Sequence, residues 1–304
     1  MPGPPRDAPP LVGAEGRTLI APVVVACSGG PDSLGLLVLA ARAGLEPVAV
    51  HVDHGLRPDG HADARVVATA AAELGLASRA VAVMVEPGPN LEARARQARY
   101  AALETVRSEL GATAILTAHT ADDHAETVLL NLLRGSGLNG LAGIPRERGA
   151  VVRPVLDLRR SELRAWCGRL TVEPVDDPSN RDERHRRNWI RHSVLPLLSA
   201  GADRDLVPVL TRQAAVMAQD AALLDALADE LLDAAGRVRP SVAVLRDAPP
   251  ALARRALRRW LGPPWPSLAD LERIEAVVAG QCRATEVAGG RRVDRRGGAL
   301  TVTG

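Results

Sequence analysis

The first half of the chain alternates short apolar runs with longer amphipathic stretches. The apolar runs, rich in β-branched residues, predict strands over residues 23–27, 47–52, 79–85 and 114–118. The alanine-rich stretches predict helices over 32–43, 61–74, 91–110 and 122–134, with Asn90 as the N-cap of the third helix. This alternation indicates an α/β fold: a doubly wound, mostly parallel sheet with helices on both faces.

The pattern changes after residue 154. A helix is predicted over 161–170, then a polar, arginine-rich connection, then helices over 206–235, 251–260 and 268–278. A hairpin-like segment rich in glycine and arginine closes the chain. We therefore predict a disordered tail over 1–18, an α/β domain over 19–200 and a smaller, mainly helical domain over 201–304.

Composition excludes several classes of protein. The formal net charge is only +2, so the whole-chain charge does not indicate a nucleic-acid partner. The three cysteines, Cys27, Cys167 and Cys282, form no CxxC pair, which argues against a disulfide scaffold and against a zinc or iron–sulfur site. No apolar run approaches the length of a membrane span. We expect a cytoplasmic protein without a membrane partner.

Polar segments follow the predicted strands at one edge of the sheet, where ligands of doubly wound folds bind. The first segment is "SGGPDS", and all six of its residues could contribute to a phosphate site. Two glycines permit a sharp turn close to an anion, the proline suits the first turn of a helix, and the serines add hydroxyl donors. These residues are Ser28, Gly29, Gly30, Pro31, Asp32 and Ser33. The alternative is a helix cap without a ligand. A Walker A loop is excluded because the sequence contains no lysine.

"SGGPDS" resembles the loop of ATP pyrophosphatases, which split ATP into AMP and pyrophosphate. The segments "HVDHGLR", "HTADDHAET", "RGSGLNGLAGI" and "DPSNRDERHRRNWIR" are similar to those of the tRNA(Ile)-lysidine synthase family, in that family's order. The resemblance implies a ligase that uses ATP and Mg²⁺. Members of this family adenylate the C2 oxygen of the wobble cytidine 34 of tRNA(Ile) with a CAU anticodon, and the amine of free L-lysine then displaces AMP to give lysidine.

Three carboxylates after the fourth predicted strand, Asp122, Asp123 and Glu126, lie within one helical turn. Next to the phosphate loop they are candidates to bind Mg²⁺ and the lysine ammonium; the alternative is an acidic helix start. The resemblance implies that Asp32 holds Mg²⁺, that Asp32, Asp123 and Glu126 are catalytic, and that His119 binds ATP. His124 replaces the family's usual glutamine.

Other candidates for lysine or tRNA contact are Asp53, at the end of the second strand, and the R-N-x-x-R residues Arg187, Asn188 and Arg191. For those three the alternative is a solvated basic face. His51 is interpreted as a structural histidine. Eight arginines in the last domain are candidates for tRNA backbone contacts, four of them on one helix face, with a charged surface as the alternative. They are Arg254, Arg255, Arg258, Arg259, Arg291, Arg292, Arg295 and Arg296.

Two other functions compete. One is a tRNA thiolase of the same superfamily, which the scattered cysteines do not fit. The other is a nucleotide-binding regulator with a dead site, against which the intact loop and the three carboxylates argue. A homodimer is left open.

Overall fold

The computed structural model describes residues 8–53, 55, 60–86 and 88–304. Within them, the first part of the chain forms a six-stranded sheet in the order β3-β2-β1-β4-β6-β5. All neighbouring strands are parallel except β5 and β6. The strands are β1 Val23–Ala26, β2 Pro47–Asp53, β3 Ser78–Ala82, β4 Ala114–Leu116, β5 Glu147–Arg148 and β6 Val151–Val152. The sequence pattern did not predict β5 and β6, because two-residue strands carry no periodicity.

Helices cover both faces of this sheet, as the alternation predicts. They are α1 Pro31–Arg42, α2 Gly60–Glu73, α3 Leu91–Glu109 and α4 Ala121–Leu133. On one face, α1 and α2 pack over the sheet through buried leucines and alanines; on the other, Leu103 and Val106 of α3 pack against Val24 and Ile115. The capping prediction for Asn90 is wrong in one respect. It precedes α3 in a left-handed conformation (φ +56°), and its side chain caps no N–H group.

Four short helices complete this part of the chain: α5 Leu138–Leu141, α6 Arg160–Cys167, α7 Arg186–Trp189 and α8 Leu195–Gly201. A π-helical turn joins α7 to α8. Helix α6 packs closely on α1 because Gly35 has no side chain: a Cβ there would lie 2.2 Å from the Leu163 carbonyl oxygen. This contact brings the N-terminus of α6, and the arginines on it, next to the glycine loop.

The structure corrects the prediction of a disordered tail for residues 8–18. Leu11 is buried in the same core cluster as Leu19, and Val12 pairs with Thr18 in a β-bridge. Arg17 forms an ion pair with Glu147 at 2.7 Å. A buried leucine and a partner distant in sequence hold this segment, and neither is visible in local composition. Residues 1–7 lie outside the described part.

The chain divides into two compact units, and the division falls between Ala215 and Val216. The predicted boundary at 200/201 lies before the long helix α9 Val207–Ala235, whereas the division lies within it. The second unit adds α10 Val242–Asp247, α11 Pro250–Leu261, α12 Leu268–Ala279 and the strands β7 Ala284–Val287, β8 Arg291–Arg296 and β9 Ala299–Thr303. These strands form an antiparallel sheet in chain order, and the helices pack on its apolar side around Leu257, Ile274 and Val293.

Within the described ranges, no helix is both long and apolar enough to cross a lipid bilayer.

Candidate active site

The glycine turn joins β1, an interior strand of the sheet, to the N-terminus of α1. The Ser33 hydroxyl donates to the Gly30 carbonyl at 2.9 Å and accepts from the Ser28 N–H at 3.2 Å. Ser28 Oγ lies 3.3 Å from Ser33 Oγ and accepts from the Gly30 N–H at 3.4 Å. The two serines therefore hold the loop in shape.

Backbone geometry explains why glycines occupy this loop. Gly29 has φ +83°, and a Cβ there would lie 2.8 Å from Cγ2 of Val175, whose N–H donates to the Gly29 carbonyl at 2.9 Å. A side chain at this position would be both strained and crowded. Gly30 is the N-cap of α1, Pro31 follows it, and no side chain caps this helix end. The first-turn N–H groups therefore have no side-chain cap, and a helix end of this kind can bind an oxyanion.

Asp32 stands in the first turn of α1, beside this anion site. Its Oδ1 accepts from Arg164 Nε at 3.2 Å, and its Oδ2 lies 3.3 Å from Arg160 Nε. Burial raises the pKa of Asp32, and the charge of Asp123 adds to this, while the two arginines oppose it. Among the described residues, no group of three or more His, Cys, Asp or Glu side chains is arranged to hold a metal ion. Since Mg²⁺ is usually bound through one or two carboxylates plus substrate phosphates, Asp32 fits as a single protein ligand.

Asp123 has two functions at the start of α4. Its Oδ2 accepts from the backbone N–H and the hydroxyl of Thr120, both at 2.9 Å, which forms a capping box. Its Oδ1 accepts from Arg160 at 2.7 Å and from Arg187 at 3.0 Å. Oδ2 of Asp123 therefore caps the helix, as the alternative of an acidic helix start predicts, whereas Oδ1 binds the two arginines.

Asp122 ties α4 to the start of α6. It accepts from the Arg159 guanidinium at 3.0 and 3.2 Å and from the Arg160 backbone N–H at 2.7 Å. Burial opposes its ionisation, but these hydrogen bonds and charges outweigh burial and lower the pKa of Asp122. Its contacts indicate a structural contribution more than an open ligand site.

Glu126 is 1 % exposed and lies among three guanidinium groups. Arg160 donates to its Oε1 from both terminal nitrogens at 3.2 Å, Arg187 donates to its Oε2 at 3.0 Å, and Arg191 donates to Oε1 at 2.7 Å and to Oε2 at 3.0 Å. A carboxylate offers about four lone-pair sites. These contacts therefore leave Glu126 no free acceptor.

Arg160 is the residue that the sequence analysis missed. Its guanidinium contacts Asp32, Asp123 and Glu126, and its side chain is 13 % exposed. It thereby links the phosphate loop to the carboxylates of α4. The only sequence signal was its place at the start of a predicted helix, because its partners are 34 or more residues distant.

Charges in this cluster balance. Asp205, which pairs with Arg159, completes a set of five carboxylates and five guanidinium groups. Burial alone raises the pKa of Asp123, but the charges of Arg160 and Arg187 and the hydrogen bonds from Thr120 lower it to about 2. The carboxylates are brought together as expected, yet arginines already occupy them. A lysine ammonium can bind here only by displacing a guanidinium group.

His119 follows β4 and lies beside this cluster. Its Nδ1 is 2.9 Å from the Thr117 hydroxyl. Burial, reinforced by nearby arginines and opposed by Asp123, lowers the pKa of His119 to about 3. The imidazole is therefore neutral near pH 7, so it can offer ATP a hydrogen bond but no charge. His124 faces away: its Nε2 lies 3.3 Å from the Ala142 carbonyl, against Gly143.

Two other predicted ligands make local hydrogen bonds. The Asn188 side-chain amide donates to the carbonyls of Ser179 and Asp182 at 2.7 and 3.0 Å. Both N–H groups of this amide therefore hold the preceding turn, and a lysine ammonium, which is a donor, would have to bind the amide oxygen. Asp53 ends β2 and accepts from the Gly55 N–H at 2.9 Å. His51 is buried, with Nδ1 3.0 Å from the Cys27 carbonyl, as its structural interpretation expects.

The arginines of the second unit do not form one basic face. On α11, Arg255 and Arg259 face α9 and pair with Asp225 and Asp229. The other side of that helix carries Arg254, paired with Glu275 at 2.9 Å, and Arg258, which lies 5.6 Å from the centre of the Trp265 ring.

Strand β8 carries the remaining arginines. Arg291 donates to the carbonyls of Ala288 and Leu261, Arg292 pairs with Asp294 at 3.3 Å, and Arg295 donates to the Val278 carbonyl. Most of the eight arginines predicted to contact tRNA therefore already have partners within the protein. The sequence pattern did not show these partners, because the acidic and carbonyl groups are brought close only by folding. Arg258 and Arg296 are the exceptions among the described residues.

Comparisons with known proteins agree with this geometry. A model of the PP-loop domain matches residues 18–198, and a model of the TilS substrate binding domain matches residues 241–301. With the glycine loop at the end of β1, the chain is an ATP-utilising enzyme of the PP-loop class.

Its relatives narrow the class. Proteins named tRNA(Ile)-lysidine synthase are 43 % identical in Salinispora tropica, over 92 % of this chain and 90 % of that protein, and 41 % identical in Nocardia farcinica, over 84 % and 81 %. One from Deinococcus deserti is 38 % identical over 93 % of this chain and 54 % of its own length. The chain belongs to the tRNA(Ile)-lysidine synthase family, whose members are ligases.

A solved structure shares the fold. The U34-tRNA thiolase NcsA from Methanococcus maripaludis, a protein with a [4Fe-4S] cluster, has a TM-score of 0.52 and 17 % identity, over 67 % of this chain and 74 % of its own. The likeness does not extend to cysteine chemistry. Cys27 and Cys167 are buried, Cys282 is exposed, and burial raises the pKa of the Cys27 thiol to about 12. The thiolase alternative is therefore not favoured.

Proposed function

We propose that this protein ligates free L-lysine to C2 of cytidine 34 in tRNA(Ile) with a CAU anticodon, at the expense of ATP. The family assignment supports the reaction. The observation that carries it in this chain is the juxtaposition of the uncapped phosphate loop, Asp32 and the buried carboxylates of α4, all linked by Arg160.

In the first step, the loop holds the β- and γ-phosphates as the leaving group. The free N–H groups of the first turn of α1 and the Ser28 hydroxyl offer donors to developing charge on pyrophosphate, whereas the Ser33 hydroxyl is used within the loop. The C2 oxygen of cytidine attacks the α-phosphate, so AMP is attached to the tRNA. Asp32 would hold Mg²⁺, which offsets the charge of the leaving group when bound. His119 stays neutral and donates or accepts a hydrogen bond.

In the second step, the lysine side-chain amine attacks C2 and releases AMP. Asp123 and Glu126 are proposed to receive the ammonium before it loses a proton. One guanidinium must first leave them, and Arg187 is the best candidate. Its side chain is 40 % exposed, against 21 % for Arg191 and 13 % for Arg160, so it is the easiest of the three to displace into solvent.

The C-terminal unit is proposed to bind tRNA, since its matched segment is a substrate binding domain. Arg258 and the exposed Trp265 are proposed to contact RNA, because an aromatic ring and a cation suit stacking and phosphate contact. We expect the enzyme to act in the cytoplasm. Self-association into a homodimer stays a prediction.

The test is nucleoside analysis of a tRNA(Ile) transcript after incubation with enzyme, ATP, Mg²⁺ and lysine. We expect lysidine at position 34, and AMP and pyrophosphate equimolar with it. A tRNA(Met) transcript and the Asp32→Ala variant serve as controls. Turnover of ATP without lysidine, or modification by sulfur, would refute the proposal. Exchange of pyrophosphate into ATP with and without tRNA would then identify the step that fails.

A further inference from the structure

A segment without regular secondary structure, residues 171–175, connects the C-terminal end of α2 to the glycine loop. We call it the strap. At its first residues, the carboxylate of Glu73, which ends α2, accepts three hydrogen bonds. They come from the Thr171 N–H at 2.8 Å, the Thr171 hydroxyl at 2.7 Å and the Val172 N–H at 3.0 Å. Glu73 and Thr171 are 98 residues apart in sequence, so one exposed carboxylate holds a distant part of the chain.

The other end of the strap meets the glycine loop. The Val175 N–H donates to the Gly29 carbonyl at 2.9 Å, and a Cβ on Gly29 would lie 3.4 Å from the carbonyl oxygen of Asp63, in the first turn of α2. Asp63 and Glu73 are about 15 Å apart along this helix. A fully extended strap spans about 14 Å. A strap that is held at Glu73 therefore reaches Gly29 with little slack.

The hydrogen bond from the strap fixes the orientation of one peptide group in the loop. The Gly29 carbonyl and the Gly30 N–H belong to the same trans peptide, in which the two groups point to opposite sides. The bond from Val175 therefore directs the Gly30 N–H away from the strap. There it meets Ser28 Oγ at 3.4 Å, which is long for a hydrogen bond, so a phosphate oxygen can replace this acceptor. A peptide between two glycines rotates easily if nothing holds it.

We propose that Glu73 is a positioning residue for the pyrophosphate leaving group. By holding the strap, it keeps the Gly29–Gly30 peptide in the orientation that presents the Gly30 N–H to the β- and γ-phosphates. The inference rests on the proposed role of the glycine loop in holding pyrophosphate. Glu73 stands at the far end of α2 from the loop and acts through the strap. Hydrogen bonds from Thr171, and then from Val172, lower the pKa of Glu73, so the carboxylate is ionised near pH 7 and accepts strongly.

The test compares binding of ATP and of AMP to the full-length chain, by calorimetry at one Mg²⁺ concentration without tRNA or lysine. AMP is the discriminating probe because it lacks the β- and γ-phosphates. We expect Glu73→Ala to bind ATP about tenfold more weakly than the wild type, as the loss of a well-directed donor to a charged group would cause. Thr171→Val, which removes one of the three hydrogen bonds, should weaken ATP binding about threefold. AMP binding should be unchanged in both variants.

The matched control is Glu147→Ala. Glu147 also holds a distant segment, since it accepts from the Ala14 N–H at 2.6 Å and pairs with Arg17 at 2.7 Å. It lies on β5, which β6 and β4 separate from β1 and the glycine loop. Its ratio of ATP to AMP affinity should equal that of the wild type. A structural contribution of the same kind, made elsewhere, is thereby separated from an effect on the loop.

Three outcomes overturn the inference. An unchanged ATP affinity in Glu73→Ala does so directly. Equal losses of ATP and AMP binding do so as well, because Glu73 would then support the fold and not the orientation of the loop. If circular dichroism shows that Glu73→Ala does not fold, Thr171→Val decides, and an unchanged ratio of ATP to AMP affinity in that variant is the third. A wild type that binds AMP as tightly as ATP would instead refute the proposed role of the loop, and this inference with it.

Discussion

Replacing Arg160 should weaken the catalytic unit more than replacing any neighbouring arginine. In Arg160→Gln, the carboxylates of Asp123 and Glu126 stay buried and lose the most buried of their three shared counter-ions. Removing one partner of a buried ion pair costs about 3–5 kcal/mol, because the other charge is left without compensation. Arg187 and Arg191 still contact both carboxylates, so we take the lower limit, about 3 kcal/mol.

Urea unfolding measures this loss. With an m-value of about 3 kcal/mol/M, a cost of about 3 kcal/mol lowers the midpoint by about 1 M. Trp166 is a suitable fluorescence probe because it is buried in the first unit, at 1 % exposure, beneath Arg169. Arg160→Lys keeps the charge but loses the planar guanidinium group, so its midpoint should lie between those of the wild type and Arg160→Gln.

The matched control is Arg164→Gln. Arg164 lies on the same helix and shares the partner Asp32, but its side chain is 54 % exposed and makes one ion pair at 3.2 Å. An exposed pair contributes about 0.2–1 kcal/mol. With the same m-value, this variant should lower the midpoint by about 0.3 M or less. Equal midpoints for Arg160→Gln, Arg164→Gln and the wild type would refute the assignment of Arg160 as the central counter-ion.

Four further predictions follow from the site. Asp32→Ala should lower AMP formation about a hundredfold or more without unfolding the chain, which a pyrophosphate-release assay and circular dichroism would check; full turnover at ordinary Mg²⁺ would contradict it. Glu126→Gln should impair lysine transfer more than adenylation in single turnovers, and equal losses would assign Glu126 to ATP. Because the pKa of Asp123 falls from 3.8 to about 2 on folding, its contribution to stability is complete above about pH 4 and disappears as the pH falls toward about 2. In Asp123→Asn the urea midpoint should therefore depend less on pH than in the wild type between about pH 4.5 and about pH 2.5. Arg258→Ala should lower the salt slope of tRNA binding by about 1, whereas Arg255→Ala, which loses its pair with Asp225, should mainly lower stability; identical slopes for wild type and Arg258→Ala would remove Arg258 from the RNA contacts.

Much of the α/β unit could be predicted from the sequence because its signals are local. The alternation of apolar and amphipathic stretches predicted β1 to β4 and the helices α1 to α4, with ends shifted by at most three residues. The order of motifs then placed the glycine loop, His119 and the α4 carboxylates at one sheet edge, since parallel strands share the side on which they end. These elements depend on residues close in sequence, which periodicity and turn chemistry report directly.

The partners of those residues could be known only from the folded chain. Nothing local indicates that Arg160 meets Asp123 across 37 residues, or that Arg255 turns to Asp225 instead of to RNA. The same holds for Leu11, which is buried in the core although the sequence around it resembles a disordered tail. A sequence pattern specifies which side chains carry charge, but pairing depends on distance and burial, and these are set by packing between elements far apart in the chain.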